Sequence, residues 1–383
     1  MSCNSFNAKR IFSALLTWTA ICAFSVLSAC SSTPDKPAPT ALADFKAQLD
    51  VRKAWSVQLN PVAPPLTAAL TNGQLAIAST QGLVTVLNAD TGAESWRVAL
   101  NTPLTAGIGS DGIRFAVITQ SNELIALSQG KVIWKVKLPA LSFTAPFVAG
   151  GRVFVLTADR TVMAFDGASG QQLWRQQRTG DALVLKQSGI LTSFQDNLLV
   201  GLSGRLVALN PANGLTKWEL SIGASRGTNE VERLVDLVSG VSRVNNTICA
   251  RAFQTAVTCA DANLGRTLWT RSAQGFVGLA ATANAVFGAE SDSKLMAWNS
   301  STGQVLWQSE ALRFRGLTAP VASDGQLIVG DELGWLHWID TQNGQTVARI
   351  QIDASGIAMP ALRHGKTWVV VTRSGLVQAL RAE

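Results

Sequence analysis

A ten-residue unit ending in tryptophan returns along this chain at intervals close to forty residues, and that interval constrains the fold more than any other feature. It reads Leu87-Asn-Ala-Asp-Thr-Gly-Ala-Glu-Ser-Trp96, and again Phe165-Asp-Gly-Ala-Ser-Gly-Gln-Gln-Leu-Trp174. Further copies end at Trp218, Trp269 and Trp307, a shortened copy ends at Trp134, and a copy without tryptophan runs from Ile339 through Gly344 to Ala348. Counted from Trp55, successive spacings are 41, 38, 40, 44, 51, 38 and 41 residues. Alternating runs such as Val153-Phe-Val-Leu156 and Thr161-Val-Met-Ala-Phe165 supply short strands between the copies. A period near forty with four short strands is one blade of a β-propeller. Within the unit, the Asp or Asn side chain can accept a backbone N–H two residues on. The glycine that follows supplies the positive φ of the turn. The tryptophan then opens an outer strand, where its flat ring can cover the joint between neighbouring blades.

The two ends of the chain complete the ring. Lys366-Thr-Trp-Val-Val-Val371 and Gly375-Leu-Val-Gln-Ala-Leu380 give two strands with no outer tryptophan strand after them. The missing strand is at the other end, in Ala54-Trp-Ser-Val-Gln58, which matches Ser95-Trp-Arg-Val98. An N-terminal strand that completes the last blade leaves no open edge in the ring. The sequence therefore predicts an all-β, eight-bladed propeller over residues 51–383, its last blade closed by the N-terminal strand.

Upstream of the propeller the composition changes twice. Lys9 and Arg10 precede an apolar run from Ile11 to Leu27, and no acidic residue occurs before Cys30. Residues 1–29 read as a secretory signal peptide. The run closes on Leu27-Ser-Ala-Cys30, which resembles a bacterial lipobox, so Cys30 is expected to carry the lipid that anchors the protein. Ser31 stands where an aspartate would favour the inner membrane, which favours the outer membrane and its periplasmic side. Residues 30–50 are rich in Pro, Ser, Thr and Ala and read as a flexible tether of about 3 Å per residue.

Charge and cysteine content exclude several classes of function. After the signal, 30 Lys and Arg oppose 25 acidic residues, spread without a basic run, so no nucleic-acid partner is expected. Two cysteines remain in the body, Cys249 and Cys259, at the ends of a run that can turn near Phe253 and Gln254. A cross-strand disulfide and two buried thiols both fit that spacing. Only His337 and His364 occur, His337 within an alternating strand and His364 before a turn glycine. No Gly-x-Ser-x-Gly, phosphate loop or zinc-type cysteine spacing is present, so neither metal, cofactor nor catalysis is expected.

The spacings of 44 and 51 flank the fourth blade, and both excesses fit in connections from one outer strand to the next inner strand. Such connections emerge on one face. One carries Leu183, Leu185 and Lys186; the other carries Arg233, Leu234 and Asp236. Apolar anchors with a charged rim make this face the candidate partner-binding surface. An alternative is that the leucines simply begin the inner strand.

The Asp/Asn, Thr/Ser, Gly and Trp pattern resembles the quinoprotein-type repeat. Two families carry it: quinone-dependent dehydrogenases and the BamB-type outer-membrane protein assembly lipoproteins. The chain resembles the second over nearly its whole length, in signal, tether, blade count and closing strand. It lacks the adjacent cysteine pair found in many of the dehydrogenases. The assembly family implies a non-catalytic scaffold whose loops between blades three, four and five contact periplasmic domains of the BamA barrel. The face is expected to steer or prop the assembly barrel, with cradling of unfolded barrel substrates a secondary expectation. The family's Leu-x-Leu-Arg motif matches Leu183, Leu185 and Lys186, with lysine replacing arginine and losing the two-pronged donor. Its Arg-Leu-x-Asp-x-Asp motif matches Arg233, Leu234 and Asp236, with Val238 in place of the second aspartate. A dehydrogenase-like propeller and a lipoprotein scaffold for another envelope complex are the alternative readings.

Overall fold

The computed structural model describes residues 37–178, 183–224 and 234–382. Among them are eight four-stranded antiparallel sheets and no helix. Seven sheets use four consecutive strands each, covering 69–99, 109–137, 147–177, 191–221, 242–272, 280–309 and 321–351. We number these blades 1 to 7. Blade 8 takes three strands from 362–382, and Val51–Gln58 pairs antiparallel along its outer edge. The ring is thus an eight-bladed β-propeller closed by the N-terminal strand.

Burial follows position within the blade. Both faces of the second and third strands are covered, as in Arg152–Leu156 and Thr161–Asp166, because each sheet is sandwiched between two others. Outer strands are more exposed, with burial limited to inward positions such as the tryptophans, Leu220, Val347 and Ala348. Each of these tryptophans lies directly opposite a small residue of the third strand: Val86 for Trp96, Ala126 for Trp134, Ala164 for Trp174, Ala208 for Trp218, Cys259 for Trp269, Ala297 for Trp307 and Ala379 for Trp55. Blade 7 inverts the pair, with Trp338 on the third strand facing Ala348 on the outer one.

The repeated turn is where one blade meets the next. Asn88 accepts the amides of Asp90 and Thr91 at 3.0 Å each, and Asp166 accepts those of Ala168 and Ser169. Gly92 follows with φ of +73°. A Cβ there would lie 2.5 Å from the ring of Trp55, so the glycine is required by close approach as well as by φ. The ring nitrogen then donates across the joint: Trp55 to Ala89 O at 3.1 Å, Trp134 to Gly167 O at 3.0 Å, Trp269 to Ser300 O at 2.8 Å. Trp55, Trp134, Trp174, Trp269 and Trp307 thus cap the turn of the following blade with both face and N–H. Because Trp55 belongs to blade 8 and caps blade 1, the same contact locks the ring shut.

One boundary differs from the sequence reading. Residues 39–50, expected as part of the tether, instead fall in one compact unit with the propeller. The physical reason lies in three side chains. Leu42 packs against the core between blades 6 and 7, Leu49 against that between blades 7 and 8, and Phe45 lies under the Arg349 guanidinium at 4.9 Å.

Candidate functional site

A propeller presents two unlike faces. One carries the outer-to-inner connections and the second-to-third turns, and we call it the loop face. The other carries the remaining turns. The two longest connections, 178–190 and 222–241, both open on the loop face and flank blade 4. Inner strands begin at Leu191 and Ser242, so Leu183 and Leu185 precede the sheet instead of starting it.

The ends of these connections are tied to each other and to blade 3. The Asp236 carboxylate accepts the Leu185 amide at 2.9 Å, joining one connection to the other. Arg160, in the second-to-third turn of blade 3, donates to the Leu183 carbonyl at 3.2 Å. Gly189 N–H donates to the Thr144 hydroxyl and Ser239 N–H to the Ser188 carbonyl, each at 2.9 Å. Burial holds the Asp236 carboxyl above the usual aspartate value, against the opposite pull of the Leu185 amide and the Arg160 charge. Its neighbour Leu237 comes so near Gly201 that an added Cβ would lie 2.9 Å away.

What this arrangement presents outward is mixed. Leu183 is 37% exposed, Lys186 is exposed, and Leu185, Leu234 and Asp236 are half-buried. Lys186, Gln187 and Ser188 continue into a funnel at the ring axis, a cavity of about 410 Å3 walled by Leu66, Phe276, Leu317, Ile357 and Met359 among others. The surface therefore combines an apolar recess, exposed leucine and a cation, the make-up of a protein-docking patch. Arg233 and Cys30 lie outside the described residues.

Other polar clusters serve the scaffold. Among the described residues no three His, Cys, Asp or Glu side chains are grouped so as to hold a metal ion. Cys249 and Cys259 are directly paired on neighbouring strands of blade 5 and are joined by a disulfide. His364 is more enclosed than its turn position suggests, with Nε2 3.2 Å from Asp90. His337 is fully buried, its Nε2 3.1 Å from Asp331, which also receives Arg315 Nε at 2.7 Å. Burial pushes the imidazole below its ordinary value despite the Asp331 carboxylate. The sequence reading missed this buried triad. Its signal is positional: Ser79, Thr119 and Thr372 accept the amide four residues on at one turn position, and blade 7 places Asp331 there.

Comparison with known proteins agrees with this geometry. Residues 80–309 match the sequence profile of the family described as outer membrane protein assembly factor BamB. The BamB of Burkholderia pseudomallei is 34% identical over 367 residues, covering 94% of this chain and 96% of that protein. The crystal structure of BamB from Moraxella catarrhalis superposes with a TM-score of 0.80 at 24% identity, over 87% of this chain and all of that one. A quinohemoprotein alcohol dehydrogenase from Comamonas testosteroni shares the fold alone, with a TM-score of 0.67 at 13% identity over 87% of this chain and 76% of its own. With the profile covering more than half of the chain and a relative above 30% identity along nearly all of it, the protein belongs to the outer membrane protein assembly factor BamB family.

Proposed function

We propose that this protein is a non-catalytic scaffold subunit of the machinery that assembles β-barrel proteins into the outer membrane. Its lipid on Cys30 holds it to the periplasmic side of that membrane, and its loop face binds the periplasmic domains of the BamA barrel. Family membership supports the assembly role. The observation that carries the choice of face is the Asp236 to Leu185 hydrogen bond, which fastens the two longest connections into one surface. Leu183 and Leu185 supply apolar contact there, and Lys186 supplies a charge beside the funnel.

The test is co-purification from detergent-solubilised envelopes with wild type and with a Leu183→Ala, Leu185→Ala, Lys186→Glu variant. Wild type is expected to bring down the assembly barrel, and the variant to lose it while keeping a wild-type circular dichroism spectrum. A wild type that brings down no barrel component sinks the assembly role. Equal recovery by the variant sinks the face.

A further inference from the structure

We propose that residues 39–50 act as a clamp that sets both the length of the lipid leash and the face of the propeller from which it leaves. The proposal rests on the reading that Cys30 carries the lipid.

The segment crosses blade 7 from one face to the other. At its start, Thr40 N–H donates to the Arg313 carbonyl and the Thr40 carbonyl accepts Arg315 Nη1, both at 3.0 Å. Arg313 and Arg315 lie in the connection between blades 6 and 7, on the loop face. At its end, Gln48 N–H donates at 2.8 Å to Val347, the second residue of the outer strand Thr346–Gln351, beside the third-to-outer turn on the opposite face. Between these points Leu42 and Phe45 make the contacts already described.

Blade 7 is built to receive such a segment. Its outer strand has Ala348 in place of tryptophan, and in blade 8 the third and outer strands come from opposite ends of the chain, so no continuous turn joins them for a tryptophan to cap. Leu49 and Val51 pack there instead, against the cluster holding Val347, Ala348 and Trp368. At the other end the docking donor Arg315 is itself buried and fixed by Asp331, which His337 also touches. The buried triad thus aims a guanidinium N–H at the Thr40 carbonyl.

Two leash lengths follow. With the clamp docked, nine residues separate Cys30 from Pro39, a reach of at most about 30 Å from the loop face. With it released, twenty residues separate Cys30 from Asp50, a reach of about 70 Å from the opposite face. Docking holds the face that carries Leu183, Leu185 and Lys186 near the lipid surface, where a membrane-embedded partner presents its domains.

The experiment compares full-length wild type with a Leu42→Ser, Phe45→Ser variant. Hydrogen exchange on non-lipidated protein reads docking alone: in wild type the Thr40 and Gln48 amides are protected, and in the variant they exchange at least ~10-fold faster with blade amides unchanged. Neutron reflectometry of lipidated protein on a phosphatidylethanolamine–phosphatidylglycerol bilayer then reads the leash, and the variant's protein layer should extend farther from the lipid. Unprotected Thr40 and Gln48 amides in wild type overturn the clamp. Identical layers for wild type and variant overturn its control of the leash. A wild type that washes off the bilayer overturns the lipid reading and with it the leash role, a result the exchange data tell apart from an undocked clamp.

Discussion

Blade 7 carries its tryptophan on the wrong strand, and the consequence can be tested quantitatively. Trp338 is 0% exposed and lies opposite Ala348, in one cluster with Ile357 and Trp368. If the pair is a volume swap, Trp338→Ala opens a cavity costing about 3–5 kcal/mol, as buried aromatic truncations do. Ala348→Trp alone forces a second indole into occupied space and costs about 1–3 kcal/mol. Together they restore the large-outer, small-third arrangement of the other blades. The double variant should therefore lose at least about 2 kcal/mol less than the sum of the single losses. Urea unfolding followed by circular dichroism gives all three values, provided the slope against denaturant stays constant. Additive losses within about 0.5 kcal/mol, or stabilisation by Ala348→Trp alone, would refute the swap.

Two further predictions concern the turns and the buried imidazole. Gly303 and Gly325 have similar φ, +68° and +76°, but a Cβ at Gly303 would lie 2.6 Å from the Trp269 ring and one at Gly325 meets nothing within 4 Å. Gly325→Ala should cost about 1 kcal/mol of backbone strain. Gly303→Ala should cost about 1–3 kcal/mol more, seen as a lower urea midpoint, because it displaces the indole. His337 takes up its proton more readily unfolded than folded, since burial lowers its folded value while Asp331, Arg315 and Arg349 surround it. Stability is then full above about pH 6.5 and declines below it, with a slope approaching about 1.4 kcal/mol per pH unit. Thermal or urea unfolding between pH 7 and 5 should show that slope reduced in His337→Gln; an unchanged slope would contradict it. Asp331, whose carboxyl sits below its ordinary value, contributes to acid lability only below about pH 4.

The ring was legible because its information is periodic. An Asp or Asn, a glycine and a tryptophan at fixed offsets specify turn, close approach and inter-blade contact together, and Trp55 identified the closing strand by matching Trp96. The loop face was legible as a departure from the period. The clamp was not, because Leu42, Phe45 and Leu49 are scattered in a stretch whose average composition reads as tether, with neither a strand nor a helix period. The triad of Arg315, Asp331 and His337 was hidden for another reason. Its members come from a connection, a turn and a strand, and only the register of blade 7 brings them together. The inversion at Trp338 and Ala348 is visible as letters, yet without the strand pairing nothing says that the two face each other.

The docking surface proposed for the two long connections depends on how firmly they are held before a partner arrives. A loop that must be ordered on contact loses affinity, with each immobilised side chain costing roughly 0.5–1.5 kcal/mol. Here the ends of both connections are already held: Arg160 grips the Leu183 carbonyl, Asp236 the Leu185 amide, Thr144 the Gly189 amide, and Ser188 the Ser239 amide. Two of these contacts fix the backbone at Leu183 and Leu185, the other two hold Ser188 and Gly189 just beyond Lys186, and the Leu183 and Lys186 side chains are left exposed. On the proposed function, Asp236 and Arg160 are positioning residues that act through the leucines they hold. The scaffold supplies the rigidity because blade 3, which contributes Arg160 and lies beside Thr144, is clamped on both sides by capped turns, Trp134 on Gly167 and Trp174 on Pro211. Repeat chemistry that merely closes a ring therefore also orders, some residues away, the irregular segments that interrupt the repeat.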